Sequence, residues 1–326
     1  MRPLQGVHSL AGSLLCLLLA VLPGTGRADA RSEAVDARAL LAAMSDAMRA
    51  LDYQGSFTYQ HAGRVDTLRI FHAGAPIERE RLVSLNGPRS EIVRNGTEVT
   101  CIQADGSAVV YSISSGRGLV PLVPETGGRA LDAQYDIRHA GNDRVAGYRA
   151  DIIDIAPRDR FRYGYRLWID QGSRLLLRSI VTDAERRPLE QLMFVSLDIG
   201  RAPLEADLVP QRSESTTTSA SPATELPVRG KPHWRVVDAP DGFGFVSARR
   251  PRLGPEGAEH LVYSDGLATV SIYVEPRGDS APGFDTLAGR GTVNVFSRVE
   301  DTWRITVLGE VPLATVQAIG QNLRRD

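Results

Sequence analysis

The chain has 326 residues, 42% of them hydrophobic, enough for two ordinary domains with buried cores. Its 38 Lys and Arg nearly cancel its 39 Asp and Glu, leaving a formal net charge of -1 and excluding a general electrostatic affinity for nucleic acid. With only two cysteines it is not a disulfide scaffold, so the fold has to rest on its cores.

In chain order, Arg2, the apolar run from Leu10 to Leu22 and the small-x-small triplet Ala28-Asp29-Ala30 predict a cleaved secretory signal peptide over 1–30. The run is too short to span a bilayer well. It contains Cys16, so the mature chain would keep only Cys101, with no partner for an intramolecular disulfide. No later apolar run approaches transmembrane length, and a soluble mature protein is expected.

Residues 34–51 follow a helical period, with Leu40, Met44, Ala47, Met48 and Leu51 on one stripe. After Asp52 the period changes to alternation. "GSFTYQHAGRVDTLRIFH" reads as a hairpin, with Phe57 and Tyr59 on one face and Leu68 and Ile70 on one face of the return strand. Asn86-Gly87, Asn95-Gly96 and Asp105-Gly106 mark three more turns, because each dipeptide tolerates the positive φ that tight hairpins need. Strands are expected at 135–139, 148–155, 163–169, 175–182 and 189–197, giving one helix and a long antiparallel meander up to about Gly200.

The stretch 211–232, "QRSESTTTSASPATELPVRGKP", is rich in Ser, Thr and Pro and almost devoid of apolar residues, and reads as a flexible linker, with the boundary set at 201–232. Beyond it "EHLVYSDGLATVSIYVEP" forms a hairpin about Asp265-Gly266, and "GTVNVFSRVEDTWRITVLGEVP" another about Glu300-Asp301. Pro312 suits the first turn of a closing helix whose apolar face would be Leu313, Val316, Ile319 and Leu323, with Arg324 and Arg325 at its negative end.

No catalytic motif emerges. The six histidines have no metal-ligand spacing, and neither a nucleophile elbow, a zinc-protease motif, a P-loop nor a dinucleotide fingerprint occurs. The chain is therefore read as a non-enzyme without metal or cofactor. A long meander with one helix has to curve, and its concave face has to be covered. Side chains could fill it as an ordinary core, or it could hold a cavity for an apolar ligand with the helix as lid. Met44, Met48, Phe57, Tyr59, Leu68, Ile70, Ile92, Val99 and Cys101 are the candidate lining residues.

The segments "LDYQGSFTY", "NGPRSEIVRNG", "YRLWIDQGSRLLLRS", "LVYSDGLATVSIYVE" and "ITVLGEVP" resemble, in this order, the RseB/MucB family of periplasmic sigma-E factor regulatory proteins. The resemblance spans nearly the whole mature chain. It implies an α+β, mostly β architecture: an unclosed antiparallel β-barrel with a covering helix over 31–200, similar to the LolA/LolB lipoprotein carriers, and a smaller α/β domain over 233–326. It also implies a periplasmic location and a role as negative regulator of the envelope stress response. The chain would bind the periplasmic domain of a membrane-spanning anti-sigma factor of the RseA/MucA type, protect it from regulated proteolysis, and be released by lipopolysaccharide or lipoprotein acyl chains. Self-association is compatible with it. Tyr263, Ser264 and Asp265, at the tip of "LVYSDGL", are the candidate partner contacts. The alternative is a periplasmic lipid or lipoprotein carrier, against which the second domain argues.

Overall fold

The computed structural model describes residues 26–112, 128–211, 216–218, 225–227, 231–251, 257–277 and 286–326. Most of the expected leader, including Cys16, lies outside the described residues.

Helix α1 (Gly26–Ala50) leads into a first meander: β1 (Tyr53–His61), β2 (Arg64–Ala73), β3 (Arg79–Ser84), β4 (Glu91–Asn95), β5 (Glu98–Ile102) and β6 (Ser107–Ser112). A second meander follows the short helix α2 (Gly128–Gln134): β7 (Tyr135–Val145), β8 (Tyr148–Pro157), β9 (Gly164–Asp170), β10 (Leu176–Thr182) and β11 (Pro188–Ile199). The turns fall where the sequence puts them, with Gly87, Gly96 and Gly106 at φ of 69°, 60° and 87°. The turn between β1 and β2 is also left-handed, Ala62 and Gly63 taking φ of 46° and 75°.

Among the described residues twelve strands form one sheet, in the order β12-β6-β5-β4-β3-β2-β1-β11-β10-β9-β8-β7, where β12 is Thr216–Thr218. All neighbours are antiparallel except β12, which runs parallel to β6. The edges β12 and β7 do not pair, so the sheet stays open. It nevertheless wraps. Leu82 on β3 and Ile137 on β7, far apart in strand order, share one buried cluster with Leu41, Met44 and Met48 of α1. The helix lies inside the curve and packs most closely on β7. Its buried stripe runs through Ala37, Leu41, Met44 and Met48, while Leu40 and Leu51 sit half-buried at its margin. On the convex side the segment after β11 packs back, Leu208 joining Phe71 and Ala73 in a small cluster.

Among the described residues the second domain is a seven-stranded antiparallel sheet in the order β13-β15-β16-β17-β20-β19-β18. Its strands are β13 (Glu225–Pro227), β15 (Gly244–Pro251), β16 (Glu259–Ser264), β17 (Thr269–Pro276), β18 (Thr286–Arg290), β19 (Val293–Glu300) and β20 (Trp303–Glu310). Helix α3 (Leu313–Gln321) covers β19 and β20, and Val270, Ile272, Val307, Val316 and Ile319 form a fully buried core.

Two expectations need correction. The closing helix ends at Gln321, and Leu323–Arg325 is a strand, β21, paired with β14 (Trp234–Val236). Leu323 still reaches the core, and the Arg298 guanidinium donates to the Gly320 carbonyl at the helix end and to the Leu323 carbonyl of β21, while Leu313 is exposed. The Ser/Thr/Pro stretch is not structureless throughout: its described residues Thr216–Thr218 and Glu225–Pro227 extend the edges of the first and second sheets. An edge strand is held by backbone hydrogen bonds, which need no apolar side chains, so composition is a poor guide there.

Candidate functional site at the concave face and the domain junction

Register sorts the candidate lining residues into lateral rows. Gly55, Ile70, Leu82, Ile92, Cys101 and Val109 are directly opposed across five strand pairs, so they share the concave face. Met44, Met48, Phe57 and Ile70 are buried in the main cluster, with Tyr59, Leu68 and Ile92 half-buried against it. Val99 is buried and Cys101 half-buried. The seven strand residues thus share one face of the sheet, and Met44 and Met48 of α1 pack against its centre. A cleft of about 390 Å³ opens elsewhere, at the ends of β8, β9 and β10 between Ile155, Pro157, Tyr165, Arg166 and Arg186.

Beside the apolar row lies a polar one that alternation does not announce: Tyr53, His72, Glu80, Arg94 and Val99. His72 is 1% exposed, stacks on Tyr53 and donates from Nδ1 to the Leu51 carbonyl at 2.8 Å, tying β2 to the end of α1. Arg94 pairs with Glu78 and lies 3.4 Å from Glu80. Burial pushes the Glu80 carboxyl above its ordinary value. At Glu78 burial acts the same way, but hydrogen bonds with His72 and Arg94 outweigh it and hold the carboxyl below its ordinary value.

The second feature is the junction. The "YSDGL" turn between β16 and β17 docks into domain one. Asp265 and Arg162, both with fully buried side chains, pair at 2.6 Å between Nε and Oδ2, and the Tyr135 hydroxyl donates to the same oxygen at 2.9 Å. The other oxygen, Oδ1, accepts the Leu267 and Ala268 amides at 2.9 and 2.7 Å, so one carboxylate both shapes the turn and receives the arginine. Arg162 also bonds Asp159 and the Asp241 carbonyl and lies over the Phe243 ring at 4.9 Å. Leu267 completes the plug by entering the main cluster of domain one.

Further contacts extend this seam. Asn294 Nδ2 donates to the Tyr163 hydroxyl at 3.0 Å and Thr315 Oγ1 to the Phe161 carbonyl at 2.7 Å. Glu190 on β11 accepts the Thr292 amide and hydroxyl at 2.8 and 3.0 Å and, on its other oxygen, the Tyr59 hydroxyl at 2.5 Å.

The candidate partner contacts Tyr263, Ser264 and Asp265 have side chains engaged within the chain in this conformation. Tyr263 is buried in the second core, where its hydroxyl accepts the Val236 amide. The Ser264 hydroxyl donates to the Ala268 carbonyl, and Asp265 is 2% exposed in the seam. The domain-one side of that seam was invisible in the sequence. Arg162 sits in "PRDRFRYGY" beside the exposed Arg158 and Arg160, and nothing local marks it as the buried one.

Comparison with known proteins supplies the context. The MucB/RseB N-terminal domain matches residues 36–214 and the MucB/RseB C-terminal domain residues 228–324. The sigma factor AlgU regulatory protein MucB of Pseudomonas aeruginosa is 32% identical over 316 residues, covering 94% of this chain and 96% of its own length. The sigma-E factor regulatory protein RseB of Escherichia coli K12 is 28% identical over 301 residues, covering 88% and 90%. Among solved structures, MucB in the Pseudomonas aeruginosa MucA/MucB complex superposes with a TM-score of 0.67 at 29% identity, over 89% of this chain and 99% of the other. MucB alone superposes at 0.60 with 28% identity, over 93% and 100%.

Proposed function

The chain belongs to the MucB/RseB family, and on that premise we propose that it binds the periplasmic domain of a membrane-spanning anti-sigma factor of the MucA or RseA type and thereby restrains a sigma-E-type envelope stress response. The observation that carries this reading is the superposition, over both domains, on a MucB held in complex with MucA. In this reading the bound chain shields the anti-sigma factor from proteolysis, and acyl-chain signals, from lipopolysaccharide or misplaced lipoprotein, release it.

Two features support the release step. The concave face sets an apolar row beside a polar one, the pattern an amphiphile presents. The seam ties that face to domain two through groups of both domains. A ligand shifts an equilibrium only by its differential affinity for two states, so release requires that the ligand-bound and partner-bound arrangements differ. Domain two contributes most of the partner surface and domain one the rest. Tyr263, Ser264 and Asp265 act on the partner indirectly, by fixing how domain two is presented.

The test is calorimetric titration of the full mature chain with the periplasmic fragment of a MucA-type anti-sigma factor, then repetition with an added lipid A-type amphiphile. Saturable binding at about micromolar strength or better is expected, about -8 kcal/mol, weakened by the amphiphile. No binding overturns the reading. Binding that the amphiphile leaves unchanged while it occupies domain one removes the release step and leaves a passive shield.

A further inference from the structure

We propose that Glu190 is a relay: one carboxylate that couples occupancy of the concave face of domain one to the docking of domain two, so that an apolar ligand displacing Tyr59 loosens the seam at Thr292. The proposal rests on the reading that domain one takes an apolar ligand, and it adds how that event reaches the other domain.

The geometry carries it. Glu190 has two oxygens and each serves a different domain. Oε2 accepts from the Tyr59 hydroxyl at 2.5 Å, and Tyr59 sits on β1, two residues from Phe57, half-buried against the same cluster as Leu68 and Ile70. Oε1 accepts from the amide and the hydroxyl of Thr292 at 2.8 and 3.0 Å, and Thr292 belongs to the turn between β18 and β19 of domain two. Bonds to an ionised acceptor are about twice as strong as neutral ones, so the three donors fix the carboxylate's position jointly. Removing the tyrosine donor frees one oxygen and removes one of the constraints that hold the group in place.

Three observations indicate that the contact is built to be broken. Tyr59 and Glu190 line a crevice of about 50 Å³ at the seam, shared with Tyr163, Tyr165 and Thr292, so the contact is not enclosed by packed side chains. Burial and the bond to Glu190 keep the phenol protonated well beyond its ordinary range, so it stays a donor. The turn in domain two closes on the carboxylate without slack: Gly291 has φ of +64°, and a Cβ there would stand 2.4 Å from Glu190 Oε1. A small displacement of Glu190 is therefore felt directly at that turn. By contrast Asp265 and Arg162 are enclosed on all sides and partnered within the junction, which suits a fixed anchor.

The test reads hydrogen exchange of the Thr292 amide, which is the latch itself, in the full mature chain. Tyr59→Phe removes the tyrosine donor, and Gly291→Ala both strains the left-handed turn and displaces the carboxylate from its place. Each alone is expected to speed exchange about fivefold, the effect of losing roughly 1 kcal/mol of local protection. If Glu190 is the intermediary, the double variant exchanges no faster than about twofold above Gly291→Ala, because the route is already cut. Effects that multiply overturn the relay. Glu190→Ala, which removes the bridging group outright, replaces Gly291→Ala in the same cycle where the latter fails to fold. In a second arm, lysophosphatidylglycerol below its micellar concentration is expected to speed Thr292 exchange in the parent chain. It should leave exchange unchanged in Tyr59→Phe, which still takes up the lipid. An equal response in both chains overturns the relay. If the lipid does not bind the parent chain at all, the lipid reading of domain one fails, and the mutant cycle still decides the relay.

Discussion

Arg162 has no water to turn to, and neither does Asp265, since both side chains are fully buried where the two domains meet. Desolvating two charges costs several kcal/mol each, offset only when the pair is well aligned and its remaining hydrogen-bonding groups are matched. Here they are: Tyr135 and two turn amides complete the carboxylate, and Asp159 and the Asp241 carbonyl complete the guanidinium. Such a pair is a weak source of net stability but a severe one to break on one side. Arg162→Ala is expected to destabilise the docked chain by about 3 kcal/mol, at the lower end of the usual range because the carboxylate keeps its other donors. Pairing it with Asp265→Asn should recover part of that loss. Urea denaturation followed by the fluorescence of Trp168, Trp234 and Trp303 measures both, and equal midpoints for the parent and Arg162→Ala would contradict the assignment. The pairing is not legible in the sequence, where Asp265 reads as a turn residue and candidate partner contact and Arg162 carries no mark of burial. A turn aspartate also has reason to be there without a distant partner, so its second role left no local trace.

The elements were legible to the extent that their signal is local. Every turn marked by Asn-Gly or Asp-Gly is a turn, and α1 follows from its apolar stripe. The end of α3 is ambiguous in the sequence because Leu323 faces the core in a helix or a strand alike, and only the pairing with Trp234–Val236 decides between them. The linker strands were missed because backbone pairing leaves no mark in composition. The polar row across β1 to β5 was missed for a different reason: alternation predicts that a concave face is apolar, and Glu80 with Arg94 violates it. That violation carries a pH signature. Burial raises the folded-state value of Glu80 above its unfolded value of about 4.3. A raised carboxyl contributes stability that is fully present below the unfolded value and is lost as pH rises through the folded one. Glu80→Gln removes that loss. Its urea midpoint should match the parent below the ordinary carboxyl range and exceed it as pH rises above that range. The opposite trend would mean that Glu80 is charged and held by Arg94. Glu78, whose value is lowered, acts in the other window: its contribution is present above the ordinary carboxyl value and is lost as pH falls through the folded one.

At the scale of the whole molecule, two sheets meet along a seam that combines a buried ion pair, the Leu267 plug and the Glu190 contact. Limited proteolysis is expected to cut within 211–232, where apolar content is lowest, before it cuts any strand of the two cores. The two pieces should then elute together on gel filtration, and should separate in Arg162→Ala. Separation in the parent chain would show that the linker, and not the seam, keeps the domains together. The order of strands in the larger sheet has a consequence for how the chain reaches this state. β1 to β6 extend the sheet outward in one direction, and β7 to β11 start at the opposite edge and return inward, so the halves join where β1 meets β11. Each half is a run of hairpins between close neighbours in sequence, which form in microseconds once their turns are set. The joining pair links Tyr53 with Ile199, so its loop-closure entropy is spent late and all at once. The barrier to folding the larger domain should therefore lie at that central suture, with substitutions at Phe57 or Phe194 slowing the approach to the native state and substitutions in the outer hairpins chiefly hastening its loss.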